Sequence, residues 1–448
     1  MENLLPVATG DFFWLDLHEK IRFNMLNIRF IQDNPELIIK KLKIKNFDAS
    51  EIVNDIVDLY DRKRKLQGLA DHARSEMNII SKKIGELMRE GRREEAGAAR
   101  EKTLNLKETI KEYDKEFALI EQKVSELQIQ LPNLPHNSVT PGRGEEDNTI
   151  VKSSGIMPPK SESGLPHWEL ARKYNLIDFE LGVKITGAGF PVYRGKGSQL
   201  QRALVNFFLD ENRKAGYEEI QPPLLVNEDS GFGTGQLPDK EGQMYHVTQE
   251  NFYLIPTAEV PVTNLYRDVI LDYDELPLKN TAFSACFRRE AGSYGKDVRG
   301  LNRLHQFDKV EIVQIVCPDT SYQALEEMVN HVSGLVEKLE LPYRIVRLCG
   351  ADLSFTSALT YDFEVFSAAQ EKWLEVSSVS NFEAFQSNRL RLRYREQGEK
   401  KIQFAHTLNG SALALPRIVA ALLENNQSCG GIRIPPALAP YTGFDMIS

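Results

Sequence analysis

The sequence predicts an α+β protein in which an antiparallel sheet flanked by helices follows a long antiparallel coiled-coil helical hairpin. Three observations carry this. Two sustained apolar heptad stripes lie near the front of the chain, joined by a short glycine-containing turn. A stretch rich in Pro, Gly, Ser and Asn follows them. The remaining chain mixes strand-like and helical runs without a regular βαβ rhythm, and it has neither GxxxxGK(S/T) nor a strand-linked GxGxxG.

The first stripe runs Ile52, Ile56, Leu59, Lys63, Leu66, Ala70, Ala73, Met77, Ile80, Ile84, Leu87, with Lys63 its one polar member. "REGRREE" interrupts it. A second stripe runs Ala96, Ala99, Thr103, Leu106, Ile110, Tyr113, Phe117, Ile120, Val124, Leu127, Leu131. Each arm should reach roughly 55–60 Å at a rise of about 1.5 Å per residue. Pro132 and Pro135 stop the second helix. Dimerisation or plain spacing is the ordinary use of such an arm. Residues 51–131 carry 16 basic and 17 acidic side chains, so the arm is not a basic rod. Its tip differs: Lys82, Lys83, Arg89, Arg92 and Arg93 stand against Glu86 and Glu90. A near-neutral arm with a basic tip suits contact with a few nucleic-acid phosphates.

Composition sets the outer limits. At 448 residues the chain exceeds one compact core and suggests two or three domains. A formal net charge of −9 argues against broad coating of nucleic acid but leaves room for a local basic patch. The four cysteines, Cys286, Cys317, Cys349 and Cys429, form no CxxC pair and read as reduced thiols of a cytoplasmic protein, neither a disulfide framework nor a zinc site. No run approaches ~20 apolar residues, so no transmembrane helix is expected. Residues 1–24 read as an N-terminal extension of unknown role, or as the product of an upstream start codon, ahead of a domain that begins at Met25. The expected organisation is 25–132 as the helical hairpin, 133–165 as a linker and 166–448 as the second domain.

In that second domain, "LQRALVNFFLDENRKAGYEEIQPPLLV" reads as a helix and a short strand ending at Pro222-Pro223, a pattern suited to a sheet edge or an interface. "FRREAGSYGKDVRGL" opens as a strand that places Arg288 and Glu290 on one face and Arg289 on the other. In "HQFDKVEIVQIV", Phe307, Lys309, Glu311, Val313 and Ile315 share a face. If the two segments pair across residues 291–304, one face carries Arg288, Glu290, Phe307 and Glu311: a phosphate binder, two carboxylates and an aromatic plate. That suits a nucleotide and a small polar substrate, although for the segment alone a salt-bridged surface hairpin is the slightly better explanation. "LIPTAEVPVTN" sets Thr257 and Glu259 two apart, and "WLEVSSVSNF" presents Glu375, Ser377 and Ser378. "HTLNGSALALPRIVAALLENNQ" reads as a strand, a Gly-Ser turn and an apolar helix. Pro416 belongs only in the first turn of that helix, and Arg417 beside it opposes the helix dipole, which points to an anionic partner.

Taken together these segments resemble the three signature motifs of class II aminoacyl-tRNA synthetases, and specifically the seryl-tRNA synthetase family. "QLQRALVNFFLDENRKAGYEEIQPP" resembles motif 1, "FRREAGSYGKDVRGLNRLHQFDKVE" motif 2 and "LNGSALALPRIVAALLENNQ" motif 3. "TGQLP", "YLIPTAEVP", "EVSSVSNF" and the long hairpin are similar to the seryl branch. The resemblance implies a class II fold, activation of L-serine by ATP with Mg²⁺, and transfer of serine to serine tRNA, and for the bacterial-type members also to selenocysteine tRNA. It implies a homodimer formed through the motif 1 helix and strand. It implies that Arg288 holds the α-phosphate and Arg417 the γ-phosphate, that Glu290 meets the adenine amino group, and that Phe307 stacks on the ring with Arg417 over its other face. Arg303 lies near the nucleotide, Glu375 and Ser378 match the metal-binding positions, and Arg289, Val376 and Ser377 fall within the implied ATP-binding segments. Thr257, Ala258, Glu259, Glu311, Asn409 and Ser411 match the serine pocket. The loop from Ser293 to Arg299 should meet the acceptor end of the tRNA, and the hairpin its long variable arm.

The residue types fit that chemistry. Charge in adenylate formation is spread over phosphate oxygens, so positioning and electrostatic stabilisation dominate, and an arginine fork pairs with two oxygens at once. The sequence also departs from the family's pattern: Arg289 stands where a small residue is usual, "GSALALPR" carries Ala412 and Pro416 in place of glycines, and Val379 replaces a frequent cysteine. None removes an implied ligand. Two rivals stand beside this reading: a paralogue that passes its amino acid to a carrier, against which the intact hairpin argues, and a non-enzymatic coiled-coil scaffold, against which Arg288, Glu290, Glu375 and Arg417 argue.

Overall fold

The structure, a computed structural model, describes residues 28–158, 164–239, 242–291, 299–396, 398 and 401–448. Residues 1–24 and most of the loop from Ser293 to Arg299 lie outside the described residues. Leu26–Leu134 and Pro135–Ser448 fall into separate compact units.

The first unit is helical: α1 (Ile28–Asp33), α2 (Pro35–Ile44), α3 (Ser50–Arg89) and α4 (Arg93–Gln128). α3 and α4 are the antiparallel arms, turned at Gly91, whose φ of 77° a residue without Cβ adopts freely. Leu66, Ala70, Ala73 and Leu87 of α3 and Ala96, Ile110, Ile120, Val124 and Leu127 of α4 are buried, at the predicted heptad positions. At the base Val53, not Ile52, is fully buried, because α1 and α2 add Ile31, Ile38 and Leu42 to the core there. Lys63 has a reason to occupy the seam. Its ammonium pairs with Glu121 at 2.7 Å and lies 4.7 Å from the centre of the Phe117 ring, while its stem packs inside.

The second unit is built on one eight-stranded sheet. Its strands in chain order are β1 (Thr149–Ser154), β2 (Glu218–Glu219), β3 (Leu278–Phe287), β4 (Gln306–Val316), β5 (Tyr343–Arg347), β6 (Leu359–Ser367), β7 (Lys372–Asn381) and β8 (His406–Ala414). The spatial order is β1-β5-β6-β7-β8-β4-β3-β2, antiparallel except for β2 against β3. The helices that matter for the site are α5 (His167–Lys173), α6 (Gly195–Lys214), α7 (Glu259–Asn264), α8 (Ser321–Lys338), α9 (Phe385–Leu390) and α10 (Leu415–Asn425). The strand before Pro222-Pro223 is an edge strand, as the double proline predicts. No helix among the described residues is long and apolar enough to cross a membrane.

Two expectations are corrected. Residues 133–165 are not simply a linker. They supply β1, which pairs with β5 at the sheet edge, and Asn148 just before it accepts from the Cys349 backbone at 2.8 Å and donates to Asp352 at 2.7 Å. The strand hides in the sequence because its outer face is open to solvent, so "TIVKSS" shows no apolar alternation. The Gly-Ser turn is not a turn either. Gly410 and Ser411 lie inside β8, opposite Ile312 and Glu311 of β4. The glycine is there for closeness: a Cβ at 410 would lie 3.2 Å from Val379, 3.3 Å from Met328 and 3.4 Å from Ile312. Met328 of α8 thus packs under the face opposite Glu311.

Candidate active site

β3 and β4 pair across the loop, as the sequence suggests, with Phe307 opposite Cys286 and Glu311 opposite Ala282. The Arg288 N–H continues the ladder to the His305 carbonyl at 2.9 Å. This puts Arg288 on the face of Phe307, and its guanidinium lies 5.4 Å from the centre of that ring. The strand alternation does not extend to Glu290. β3 ends at Phe287, and Glu290 takes a φ of 50°, so strand parity no longer sets its direction. An ion pair with Arg303 holds its carboxylate instead. Arg289 is exposed, and its N–H donates to the Gln243 carbonyl at 2.8 Å.

On β7, Glu375 and Ser378 are three residues apart, an odd spacing that in a regular strand sends them to opposite faces. The register against β6 shifts between Glu364↔Glu375 and Phe363↔Ser377, a bulge at Val376 that brings both to one face. Ser378 Oγ donates to Asp362 at 2.5 Å and lies 3.4 Å from Glu375. Burial, and after it the charge of Glu375, push the Asp362 carboxyl well above the usual carboxylate range. Val376 is buried. Ser377 faces away and spends its hydroxyl on the Ser411 carbonyl at 2.6 Å. Arg417, in the first turn of α10, donates to the Glu375 carbonyl at 2.7 Å and to the Asn302 carbonyl at 3.2 Å, with the Glu375 carboxylate at 3.5 Å. It therefore sits among acceptors that partly offset the helix dipole.

The implied serine pocket is the most deeply buried part. Thr257 Oγ1 donates to Glu311 Oε2 at 2.9 Å, and Lys309 pairs with the same carboxylate. Glu311 is 1% exposed, yet its Oε1 has no protein partner. Glu259 opens α7, with Ala258 buried as its cap residue. Gln386 of α9 donates to Glu259 at 2.5 Å and accepts from Thr407 at 2.7 Å. Burial, with the charge of Glu311 behind it, pushes the Glu259 carboxyl up to about 7. Ser411 stands opposite Glu311, and Asn409 opposite Val313 on the same side of the sheet.

Sequence reasoning missed several groups here. Lys309 shares the Glu311 face in "FDKVE", which signals its position though not its role. Asp362, Gln386 and Thr407 carry no local signal. Their places depend on β6 and α9 crossing segments remote in sequence.

The residues also fit the divalent cation that the resemblance implies. Glu375 and Ser378 offer oxygen only, the donor type of a hard dication. Among the described residues no group of three or more His, Cys, Asp or Glu could hold a metal alone. A carboxylate and a hydroxyl are enough for Mg²⁺, which takes few protein ligands and completes its shell with phosphate and water.

Comparison with known proteins places the chain. Residues 25–135 match the family model of the seryl-tRNA synthetase N-terminal domain, and residues 245–426 that of the class II tRNA synthetase core domain of the G, H, P, S and T enzymes. A serine–tRNA ligase of Salinibacter ruber is 51% identical over 94% of this chain and 99% of its own length. One from Chlorobaculum parvum is 44% identical over 94% of this chain and 100% of its own. Among solved structures, the seryl-tRNA synthetase of Pyrococcus horikoshii complexed with ATP is similar at a TM-score of 0.90 and 32% identity, covering 94% of this chain and 99% of that one. Hairpin and core are thus matched in one continuous register, and the chain belongs to the seryl-tRNA synthetase family of class II aminoacyl-tRNA synthetases.

Proposed function

We propose that this enzyme activates L-serine with ATP and transfers it to the 3′ end of serine tRNA, and of selenocysteine tRNA. The observation that carries the serine reading is Glu311. One carboxylate oxygen is held by Thr257 and the other is buried with no protein partner. A serine hydroxyl donating to Oε1 satisfies it, whereas alanine leaves it orphaned, and that asymmetry is how a polar pocket rejects an analogue lacking the hydroxyl. Glu259, Ser411, Asn409 and the Ala258 segment complete the pocket, with Glu259 facing the ammonium group.

In the first step the serine carboxylate oxygen attacks the α-phosphorus, the bond to the bridging oxygen breaks, and pyrophosphate leaves. Arg288 stabilises the α-phosphate charge and Arg417 the γ-phosphate. Phe307 supports the adenine, Glu290 accepts from its amino group, and Arg303 orients Glu290 through their ion pair. Arg289, exposed, contributes background charge, while Val376 and Ser377 shape the floor beside Glu375. Glu375 and Ser378 would hold Mg²⁺, which supplies charge neutralisation across the phosphates. In the second step a terminal ribose hydroxyl of the tRNA attacks the acyl carbon and AMP leaves. The hairpin of α3 and α4 binds the tRNA, and a homodimer forms through α6 and the exposed edge strand β2.

The test is serine-dependent ATP–pyrophosphate exchange followed by charging of each tRNA. Both activities are expected. Exchange without charging would favour transfer to a carrier, and neither activity a scaffold. Charging of serine tRNA alone would remove the selenocysteine part.

A further inference from the structure

His167 is fully buried, and the nucleotide and serine roles above make no use of it. Its Nε2 accepts the Leu301 backbone N–H at 2.8 Å, which places the ring proton on Nδ1. Nδ1 donates to Glu424 at 2.8 Å. Glu424, 2% exposed, accepts five donors: the His167 ring, the His167 backbone N–H at 2.9 Å, Ala369 N–H at 3.2 Å, Gln370 at 3.2 Å and the Ser367 hydroxyl. A buried carboxylate so completely satisfied is a fixed anchor. Burial alone would raise its pKa, but the bonds from His167 and Ser367 outweigh that and hold it below the ordinary value.

The anchor closes a ring of contacts. Glu424 and Arg417 lie on α10, two turns apart. Arg417 Nε donates to the Asn302 carbonyl, the residue after Leu301. The Asn302 side chain donates to Gln370 at 2.8 Å, and Gln370 to Ser367 at 2.8 Å and to Glu424. Thus the helix that presents Arg417 also anchors, through Glu424 and His167, the backbone that receives Arg417. Gly300 makes the approach possible. A Cβ there would lie 2.2 Å from His167 Nε2 and 3.0 Å from Trp168, and its φ is 68°.

We propose that His167 is a positioning residue for ATP binding: clamped by Glu424, it fixes the Leu301–Asn302 backbone and through it the guanidinium of Arg417. The inference rests on the nucleotide role of Arg417. Two substitutions separate the His167 bonds. His167→Gln places an amide oxygen where Nε2 stood and keeps the acceptor for Leu301. His167→Asn keeps the donor to Glu424 and loses the Leu301 bond.

Losing that buried bond should raise the KM for ATP in pyrophosphate exchange by about tenfold in His167→Asn, with the serine KM changed by less than about twofold, while His167→Gln recovers most of the ATP affinity. Asn302→Ala, which frees the same backbone from Gln370, should shift ATP in the same direction and carries the test if His167→Asn does not fold. Equal loss in both His167 variants in step with their thermal midpoints, or parallel loss of ATP and serine affinity, would make His167 merely structural and overturn the proposal. Arg417→Ala keeps the underlying reading separate. If its ATP affinity measured by equilibrium titration is unchanged, the nucleotide role of Arg417 fails. If that affinity falls while His167→Asn and Asn302→Ala match the wild type, only the positioning role fails.

Discussion

Thr257 Oγ1 donates to Glu311 Oε2 at 2.9 Å, and Lys309 closes a buried ion pair on the same carboxylate. Glu311 is therefore held in place with its Oε1 buried and without a protein partner, the oxygen that takes the serine hydroxyl in the proposed pocket. Glu311→Ala should raise the serine KM by about ten- to hundredfold, the scale of a lost hydrogen bond to a charged group. It should also narrow the preference for serine over alanine. The same change strands Lys309, 5% exposed, as a buried unpaired cation, so stability should fall by about 3–5 kcal/mol. Exchange kinetics with both amino acids, and denaturant unfolding, measure the two effects. A wild-type serine KM in the mutant would overturn the pocket assignment.

In the proposed serine pocket, Glu259 should give serine binding a pH dependence. Its carboxyl is pushed up to about 7, mainly by burial. A serine ammonium group is attracted by the ionised form, so serine binding should weaken as pH falls through 7, with KM rising up to about tenfold per pH unit below it. The stability effect has its own sign. The unfolded carboxyl ionises near 4.5 while the folded one keeps its proton to about 7, so stability from this group is full below pH 4.5, falls between 4.5 and 7, and is level above. Glu259→Gln should flatten the serine KM profile between pH 6 and 8, which initial-rate measurements at fixed ATP would show.

How much of this was legible in the sequence depends on whether a residue's position is fixed locally. The hairpin was legible because its stripes are local and periodic, down to the polar Lys63. The Arg288–Phe307 face was legible because two strand-like runs joined by one loop pair with each other. Glu290 escaped the parity rule because strand geometry ends three residues before it. Ser378 needed the bulge at Val376, which only the pairing with β6 reveals. Gly410 was misread because a glycine beside a serine signals a turn equally well, and its packing partners Met328 and Ile312 are remote. β1 was missed because an edge strand with an open face shows no alternation.

The corrected role of Gly410 makes a prediction of its own. If it terminated a strand in a turn, alanine would be tolerated. Inside β8 the new methyl must push Val379, Met328 and Ile312, all 3.2 to 3.4 Å away, by a few tenths of an ångström in a close-packed core. Gly410→Ala should cost about 1–3 kcal/mol, as overpacking does. Because Ser411 beside it faces Glu311, the serine KM should also rise. Urea unfolding with an unchanged midpoint would return Gly410 to a turn or a loose site.

If the hairpin binds tRNA as proposed, its tip should separate the two chemical steps. Lys82, Lys83, Arg89 and Arg93 are exposed, whereas Arg92 is engaged by Glu90 at 3.1 Å and Glu95 at 2.6 Å. Replacing all five by alanine should weaken tRNA charging and leave serine-dependent pyrophosphate exchange intact, because exchange requires no tRNA. Arg92→Ala alone should matter least, since its charge is already partnered. Each lost phosphate contact should lower the salt slope of tRNA binding by roughly one. Titrating charging rates against salt for wild type and the five-fold variant reads that slope directly. An equal fall in exchange and charging would show that the tip supports the fold of the arm and reads no phosphate.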